Sequence, residues 1–388
     1  MKILIINTLY FPHHIGGAEV SVQMLAEGLV SAGNQVRVIT LHNEGYRKVS
    51  IINRVEVVYL PVRNFYWPFE RVQRSRLARL FWHLRDNYNL QAARDVGKEL
   101  DCFRPDIMHT NNISGFSVSV WSEAKKRNIK IIHTARDYYL FHPNATLYKG
   151  AENQSPDTGS VFVWSLMKKI CARKVSTFIG ISKYIRDFHV DAGFFLSAQN
   201  DYIYNPVEPI NPDNFCYGNR FLRVGFIGRL SSVKGFDHFC NLISSFKNSC
   251  GEISAVAAGT FPVDEQHSLK VQAELSGIEL LGMSTAADFL SKVDIVILPN
   301  QWREPFGRTV VEAALANKYV FTNPYGGVSE LMELFPNVFP IDEKVIYDLI
   351  ITGKANASPI SAEIAAVFSV DEISKRYISE YERVTCGN

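Results

Sequence analysis

Two α/β units in tandem, each a parallel sheet wound with helices, are what three features of this sequence predict. A continuous apolar run at residues 3–6 and predominantly apolar segments at 177–182, 222–227 and 295–299 read as strands covered on both faces of a parallel sheet. Turns marked by glycine, proline or a small polar residue separate such runs from segments with helical apolar spacing, as in the opening of a doubly wound fold. The 388 residues accommodate two units of ordinary size, about 150–200 residues each.

Composition narrows the class. A hydrophobic content of 47% supports globular cores, and a net charge of +2 does not mark the chain as a nucleic-acid binder. Cys102, Cys171, Cys216, Cys240, Cys250 and Cys386 are scattered, with no C-x-x-C. That argues against a zinc site or a disulfide framework and fits a reducing, cytoplasmic setting. The apolar run in MKILIINTLYFP is too short for a signal peptide, and no run reaches the ~20 residues that span a bilayer.

In chain order, a strand is predicted at residues 2–8. The turn after it carries Gly16 and Gly17, and then a helix with Ala18, Val22, Leu25, Ala26 and Leu29 on one face. Gly33 ends that helix, and residues 35–41 and 56–62 are strands. The paired glycines let backbone approach a phosphate closely. Residues 63–95 interleave seven arginines with Phe65, Tyr66, Trp67, Phe69, Phe81 and Trp82. The segment reads either as a basic helix with an aromatic face for a membrane surface or as a solvated helix with one packed face. Strands follow at 106–110 and 130–134. His109 closes the first, placed to contact substrate or simply to pack, and Arg136 and Asp137 follow the second. Residues 144–162 read as a mobile polar loop beside an acceptor cleft. A basic helix at 163–175 carries Lys168, Lys169, Arg173 and Lys174. Pro206, Pro209 and Pro212 mark a linker.

The second unit opens with a strand at 222–227, then Arg229 and Lys234 in a turn before a helix. Strands at 253–258, 279–281 and 295–299 continue the alternation. The stretch ILPNQWREPFGRTVVEAALANKYVFTNPYGGVSE, residues 297–330, reads as strand end, turn, helix, strand and glycine turn. Glu304 sits in the first turn and Glu312 in the helix, whose start is set near residues 307–309 by Pro305 and Gly307. A helix N-terminus at a strand's carboxyl end is an anion site. Two carboxylates flanking it suit a ligand with phosphate in the middle and hydroxyls at both ends, the shape of a sugar nucleotide. Beyond residue 330 the pattern decays, until a last helix at 371–384.

EPFGRTVVE, together with Gly326-Gly327, resembles the E-x7-E signature of the family 4 retaining glycosyltransferases, which have two Rossmann-like domains facing each other across a cleft, the GT-B fold. The resemblance implies an acceptor-binding domain over residues 1–205, a nucleotide-sugar donor domain over 206–370, and a terminal helix over 371–388 crossing back to the first domain. It implies that Glu304 binds the sugar hydroxyls and Glu312 the ribose. Gly228-Arg229 to Lys234-Gly235 is similar to the segment whose cations clamp the pyrophosphate. Gly16 and Gly17 would face the phosphates, Phe306, Gly307, Arg308 and Thr309 would join the donor site, and Gly282 and Met283 would hold the base. The family often reads T-x-H-D-Y-W where this chain has Thr134, Arg136 and Asp137. Arginine stays protonated at neutrality, with a pKa above about 12, and so cannot act as a proton carrier. Either the histidine's role is dispensable, or His133 or His142 covers it, or Arg136 binds an anionic acceptor.

The implied activity is retaining hexosyl transfer to a saccharide acceptor, lipid-linked, at the inner membrane face, in cell-surface polysaccharide or lipopolysaccharide synthesis. The nucleotide sugar is a substrate, UDP preferred to GDP, and no cofactor is implied. No D-x-D occurs, which argues against a metal-held diphosphate. There are two alternatives. One is a non-catalytic sugar-nucleotide or glycan-binding protein, which the arginine at 136 favours. The other, an enzyme of another chemistry on the same fold such as a sugar-nucleotide epimerase, lacks support, because the E-x7-E arrangement resembles transferases.

Overall fold

The computed structural model describes every residue except 14–15, 71, 211–221, 251–252, 353–358 and 387–388. The chain forms two compact units. One comprises Met1–Leu147, Gln154–Pro206 and Ser369–Asn388, and the other Tyr148–Asn153 and Val207–Phe368. Pro212, expected in the linker, lies outside the described residues.

The first unit is built on an eight-stranded sheet. Its spatial order is Gln199–Tyr202, Thr177–Gly180, Lys130–Ala135, Ile107–Thr110, Lys2–Ile6, Gln35–His42, Val55–Pro61 and Lys48–Ile52. All neighbours are parallel except the last pair. The apolar residues Ile3, Leu4, Ile5 and Ile6 are wholly buried, as a central strand covered on both faces requires. The edge strand Lys48–Ile52 was not legible in the sequence because it is mostly exposed and carries no apolar run. It joins its neighbour through Asn53 and Arg54, both at positive φ (47° and 69°), the backbone of a two-residue hairpin turn.

Helix Gly17–Ser31 buries Val22, Leu25, Ala26 and Leu29, the predicted face. The terminal helix Val370–Cys386 belongs to this unit. It buries Ile373, Tyr377 and Tyr381, and a Cβ on Gly28 would fall 2.3 Å from Ser374 Oγ. Helix-to-helix approach at that point needs glycine. The Tyr381 hydroxyl lies 2.7 Å from His109 Nδ1, and the Tyr377 hydroxyl 3.1 Å from Thr134 Oγ1. His109 is therefore buried in this packing, not presented to a substrate.

Residues 63–95 are not one helix. Helix Arg76–Asn87 starts at a Ser75 cap whose hydroxyl accepts from the Ala78 amide, and helix Leu90–Phe103 follows. Trp82 is core, whereas Phe65, Phe69 and Phe81 are exposed. The basic helix expected at 163–175 runs Gly159–Ala172. One of its cations is not on the surface. Lys168 is buried, donates to the Tyr139 carbonyl at 2.6 Å, and stands 3.9 Å from the centre of that ring. Tyr139 donates its hydroxyl to Asp86 Oδ2 at 2.8 Å. Burial raises the Asp86 carboxyl to about 6 and lowers the Lys168 ammonium to about 8, each drawn partway back by the other's charge. Sequence spacing cannot reveal this buried group, since its members come from three separate segments.

The second unit has a six-stranded, all-parallel sheet in the order Glu279–Gly282, Ser254–Ala258, Arg223–Ile227, Ile295–Leu298, Tyr319–Thr322 and Val338–Pro340. The region after residue 330 is more regular than expected. It holds Val338–Pro340 and helices Val328–Leu334, Glu343–Thr352 and Ala362–Ala366. These elements are short, and Glu343–Thr352 buries only Ile346 and Ile350, so no apolar period develops. Residues 144–162 also hold structure. Tyr148–Lys149 and Glu152–Asn153 pair as a small antiparallel hairpin counted with the second unit.

Candidate functional site

In the second unit the connection order reverses between strands Arg223–Ile227 and Ile295–Leu298. Crevices at such a switch point, beyond the strands' carboxyl ends, are where open α/β sheets bind ligands. A small crevice lies there, lined by Gly228, Lys234, Asn300, Glu304, Gly307 and Thr309 among others.

Glycines set the distances within it. Gly235 has φ +77°, and a Cβ there would come 1.8 Å from the Pro299 carbonyl oxygen. The turn after the first strand thus lies directly on the backbone after the fourth, which brings Lys234 beside Glu304. Their side chains form a salt bridge between Lys234 Nζ and Glu304 Oε2. The Lys234 ammonium also lies 5.0 Å from the centre of the Trp302 ring, a cation–π contact. Gly326, at φ +78°, would place a Cβ 2.4 Å from the Glu304 carbonyl oxygen. The Gly327 amide donates to that oxygen at 2.8 Å. The second glycine turn therefore buttresses the main chain of Glu304.

Asn153 of the small hairpin holds the same loop. Its amide donates to the Gln301 carbonyl at 3.1 Å and its oxygen accepts from the Arg303 amide at 3.0 Å. Sequence reasoning missed Asn153, which stands about 150 residues away in a segment that reads as loop. No local pattern marks it.

Helix Arg308–Leu315 begins at Gly307, whose φ of +94° is left-handed. The amides of Val310 and Val311 donate to the Gly307 carbonyl at 2.9 and 3.2 Å. Gly307, Thr309 and Val310 line the crevice, so the positive end of the helix opens onto it. Arg308 Nε donates to Glu312 Oε1 at 2.8 Å, one turn along. Burial raises the Glu312 carboxyl, and Arg308 draws it back. Phe306 turns its ring inward, 6.1 Å from Phe368, so what it offers a ligand is backbone. Arg229 is exposed in the turn before Lys234 and forms no ion pair there among the described residues. Gly282 has φ +69°, and its carbonyl accepts from the Gly259 amide at 2.7 Å. Met283, next to it, is 84% exposed, an apolar side chain left in solvent.

The remaining expected residues belong to the first unit. Gly16 caps helix Gly17–Ser31, and its amide donates to Glu19 Oε2 at 3.0 Å. Both glycines are exposed. His14 and Ile15, in the same turn, lie outside the described residues. Arg136 is buried, with Nε donating to Asn111 Oδ1 at 2.9 Å and Nη1 to Asn205 Oδ1. Asp137 Oδ1 accepts from the Tyr139 amide at 2.8 Å, and its other oxygen from Asn112 at 3.2 Å. Burial raises this carboxyl to about 6. The Tyr139 amide and Lys168 oppose the rise, and the nearby Glu19 charge reinforces it. His133 is ruled out as a stand-in for the missing histidine. It is buried, lies against the stacked pair Phe178–Phe195, contacts Thr110 at 3.0 Å, and is held down to about 3 by burial. His142 is half-buried and accepts from the Asn144 amide at 3.2 Å.

Residues 15–209 match the sequence profile described as Glycosyltransferase Family 4, and residues 222–344 that described as Glycosyl transferases group 1. An uncharacterized 42.6 kDa protein in the cps region of Klebsiella pneumoniae is 43% identical over 98% of this chain and 100% of its own length. Among solved structures, sucrose-phosphate synthase from Thermosynechococcus elongatus superposes with a TM-score of 0.75 at 14% identity, covering 100% of both chains. Anabaena HepE in complex with UDP superposes with a TM-score of 0.68 at 18% identity, covering 98% of this chain and 99% of its own.

Proposed function

Because the chain belongs to the family 4 glycosyltransferases and has the two Rossmann-like units of the GT-B fold, we propose that it transfers a hexose from a UDP-sugar, with retention of configuration and without a metal ion, to a lipid-linked saccharide. The product is a precursor of a cell-surface polysaccharide. The observation that carries this reading is the Lys234–Glu304 pair at the positive end of helix Arg308–Leu315. A carboxylate that can accept sugar hydroxyls stands beside a cation and a helix dipole suited to a phosphate.

In the reaction, the bond from the anomeric carbon to the phosphate oxygen breaks and one from the acceptor hydroxyl oxygen forms on the same face. The hydroxyl proton passes to the leaving phosphate. Charge grows on the diphosphate as it leaves, and Lys234 and Arg229 offset it. Glu304 orients the sugar, Glu312 receives the ribose hydroxyls, and the backbone at Gly282 and Met283 meets the base. Asp137 and Arg136 are assigned to the acceptor. UDP is favoured because HepE carries it. The cps-region relative supports the polysaccharide role.

The test is a thermal-shift and transfer screen. UDP at about 100 times its Kd should add roughly 2.7 kcal/mol of stability, with GDP giving less, and transfer should persist in excess EDTA. A complete loss in EDTA restored by magnesium or manganese would overturn the phosphate assignment. Binding without transfer or hydrolysis over a broad donor and acceptor panel would favour the non-catalytic reading, for which the arginine at position 136 speaks.

Asn153 gives a second check. Its two hydrogen bonds to the loop of Glu304 contribute about 1 kcal/mol each, and misplacing a catalytic loop costs rate more than stability. Asn153→Ala is expected to lower kcat/KM roughly tenfold while the melting temperature moves by only a few degrees. Wild-type kinetics from this variant would assign the hairpin no part in holding Glu304.

A further inference from the structure

Two helices of the first unit carry their apolar stripes on the outside. In Arg76–Asn87, Leu77, Leu80, Phe81 and Leu84 follow the i, i+3, i+4, i+7 spacing of one face. Such a stripe ordinarily faces the core. Here each of the four is 42–66% exposed, and the buried residues are Trp82 and Asp86 on the opposite side. In Gly159–Ala172, Phe162, Val163, Leu166, Met167 and Ile170 form the same kind of stripe and are 41–68% exposed, while Val161, Ser165 and Lys168 face inward. The two helices are neighbours, with the rings of His83 and Trp164 edge-to-face at 6.3 Å. Monomeric soluble proteins rarely expose this much clustered apolar side chain.

The surrounding charge is chiefly positive, with Asp157 an exposed carboxylate just before the second helix. Arg76, Arg79, Arg85, Lys169, Arg173 and Lys174 stand on or just beyond the two helices. The one carboxylate within either helix, Asp86, is buried. We propose that these two stripes form a single membrane-insertion face, which lowers its leucines and phenylalanines into the acyl boundary of an anionic bilayer while the cations meet the headgroups. Charge complementarity selects this occupant. A second copy of the chain docked on the same face would bring two cationic rims together. The inference deepens the reading of a lipid-linked acceptor and rests on it for its purpose, but not on the transfer chemistry. It also differs from a purely electrostatic docking by the arginines of residues 63–95, because the side chains that enter the lipid are apolar and come from both helices.

The experiment is flotation of the full chain with vesicles of phosphatidylglycerol and, separately, of phosphatidylcholine. The variant carries Phe81→Asp and Leu166→Asp, exposed positions outside the donor site. The wild type should float with phosphatidylglycerol vesicles, and the variant's bound fraction should fall at least tenfold. Its UDP-induced thermal shift should be unchanged, which separates failure of this face from failure of the donor reading. Equal flotation of variant and wild type would overturn the proposal, as would a wild type that stays in the soluble fraction. So would light scattering that shows a wild-type dimer and a monomeric variant, which would make the face an interface between copies.

Discussion

Glu304→Ala is expected to lower transfer at least about 10³-fold and leave the fold intact. The expectation of an intact fold comes from how Glu304 is held. Its carbonyl accepts from the Gly327 amide, and its main chain forms a bridge with Gly326. Both contacts are backbone contacts that alanine keeps. What alanine removes is the carboxylate, and an oriented polar group that acts on the transition state is worth ~2.7–4 kcal/mol. If Glu304 also fixes the sugar's position, the loss compounds through misalignment. Glu304→Gln keeps the size and one acceptor, so it should fall between the two. The measurement is kcat/KM alongside a thermal melt. A folded Glu304→Ala protein with near wild-type turnover would remove Glu304 from the chemistry and, with it, the proposed orientation of the sugar.

Lys234→Ala should cost on the order of 10²-fold or more in kcat, for a related reason. The ammonium faces a diphosphate whose charge increases as it leaves, so the interaction strengthens between ground and transition states. Two contacts define its resting place, the Glu304 carboxylate and the Trp302 ring. Removing Lys234 therefore also leaves Glu304 without its partner, and the two residues act as a unit. The double variant with Glu304→Ala should be scarcely slower than the worse single one, since effects within such a unit are not additive. Additive losses, each multiplying the other, would mean that the two side chains serve separate steps and that their salt bridge is incidental.

The sequence made the strands and the glutamates readable for different physical reasons. Buried parallel strands must be apolar on both faces, so residues 3–6 and 295–298 declared themselves. The start of helix Arg308–Leu315 was fixed by Gly307, which takes a left-handed backbone. The second glycine turn was visible, but its purpose was not. Only the structure brings Gly326 within van der Waals reach of the Glu304 backbone, a contact across two strands. Asn153 and the buried Asp86–Tyr139–Lys168 group were illegible, since each is assembled from distant segments. His133 misled in the opposite way. It sits next to the expected motif in sequence, yet it lies inside strand Lys130–Ala135, which is covered on both faces, and so belongs to the core.

The assignment of the terminal helix to the first unit has a consequence for how the protein is made. The chain passes between the units four times, at 147/148, 153/154, 206/207 and 368/369. On the ribosome, the first sheet emerges early, but Tyr377 and Tyr381, which meet Thr134 and His109, emerge only after the second unit. Until they emerge, the groove that receives them, His109 included, stands open on a nascent chain that has already completed its second unit. A fragment cut at residue 206 would keep that groove open permanently and would also deprive the second unit of its hairpin. Neither half of this enzyme is a contiguous gene fragment, and any split or permuted version has to carry residues 148–153 and 369–386 to the units they complete.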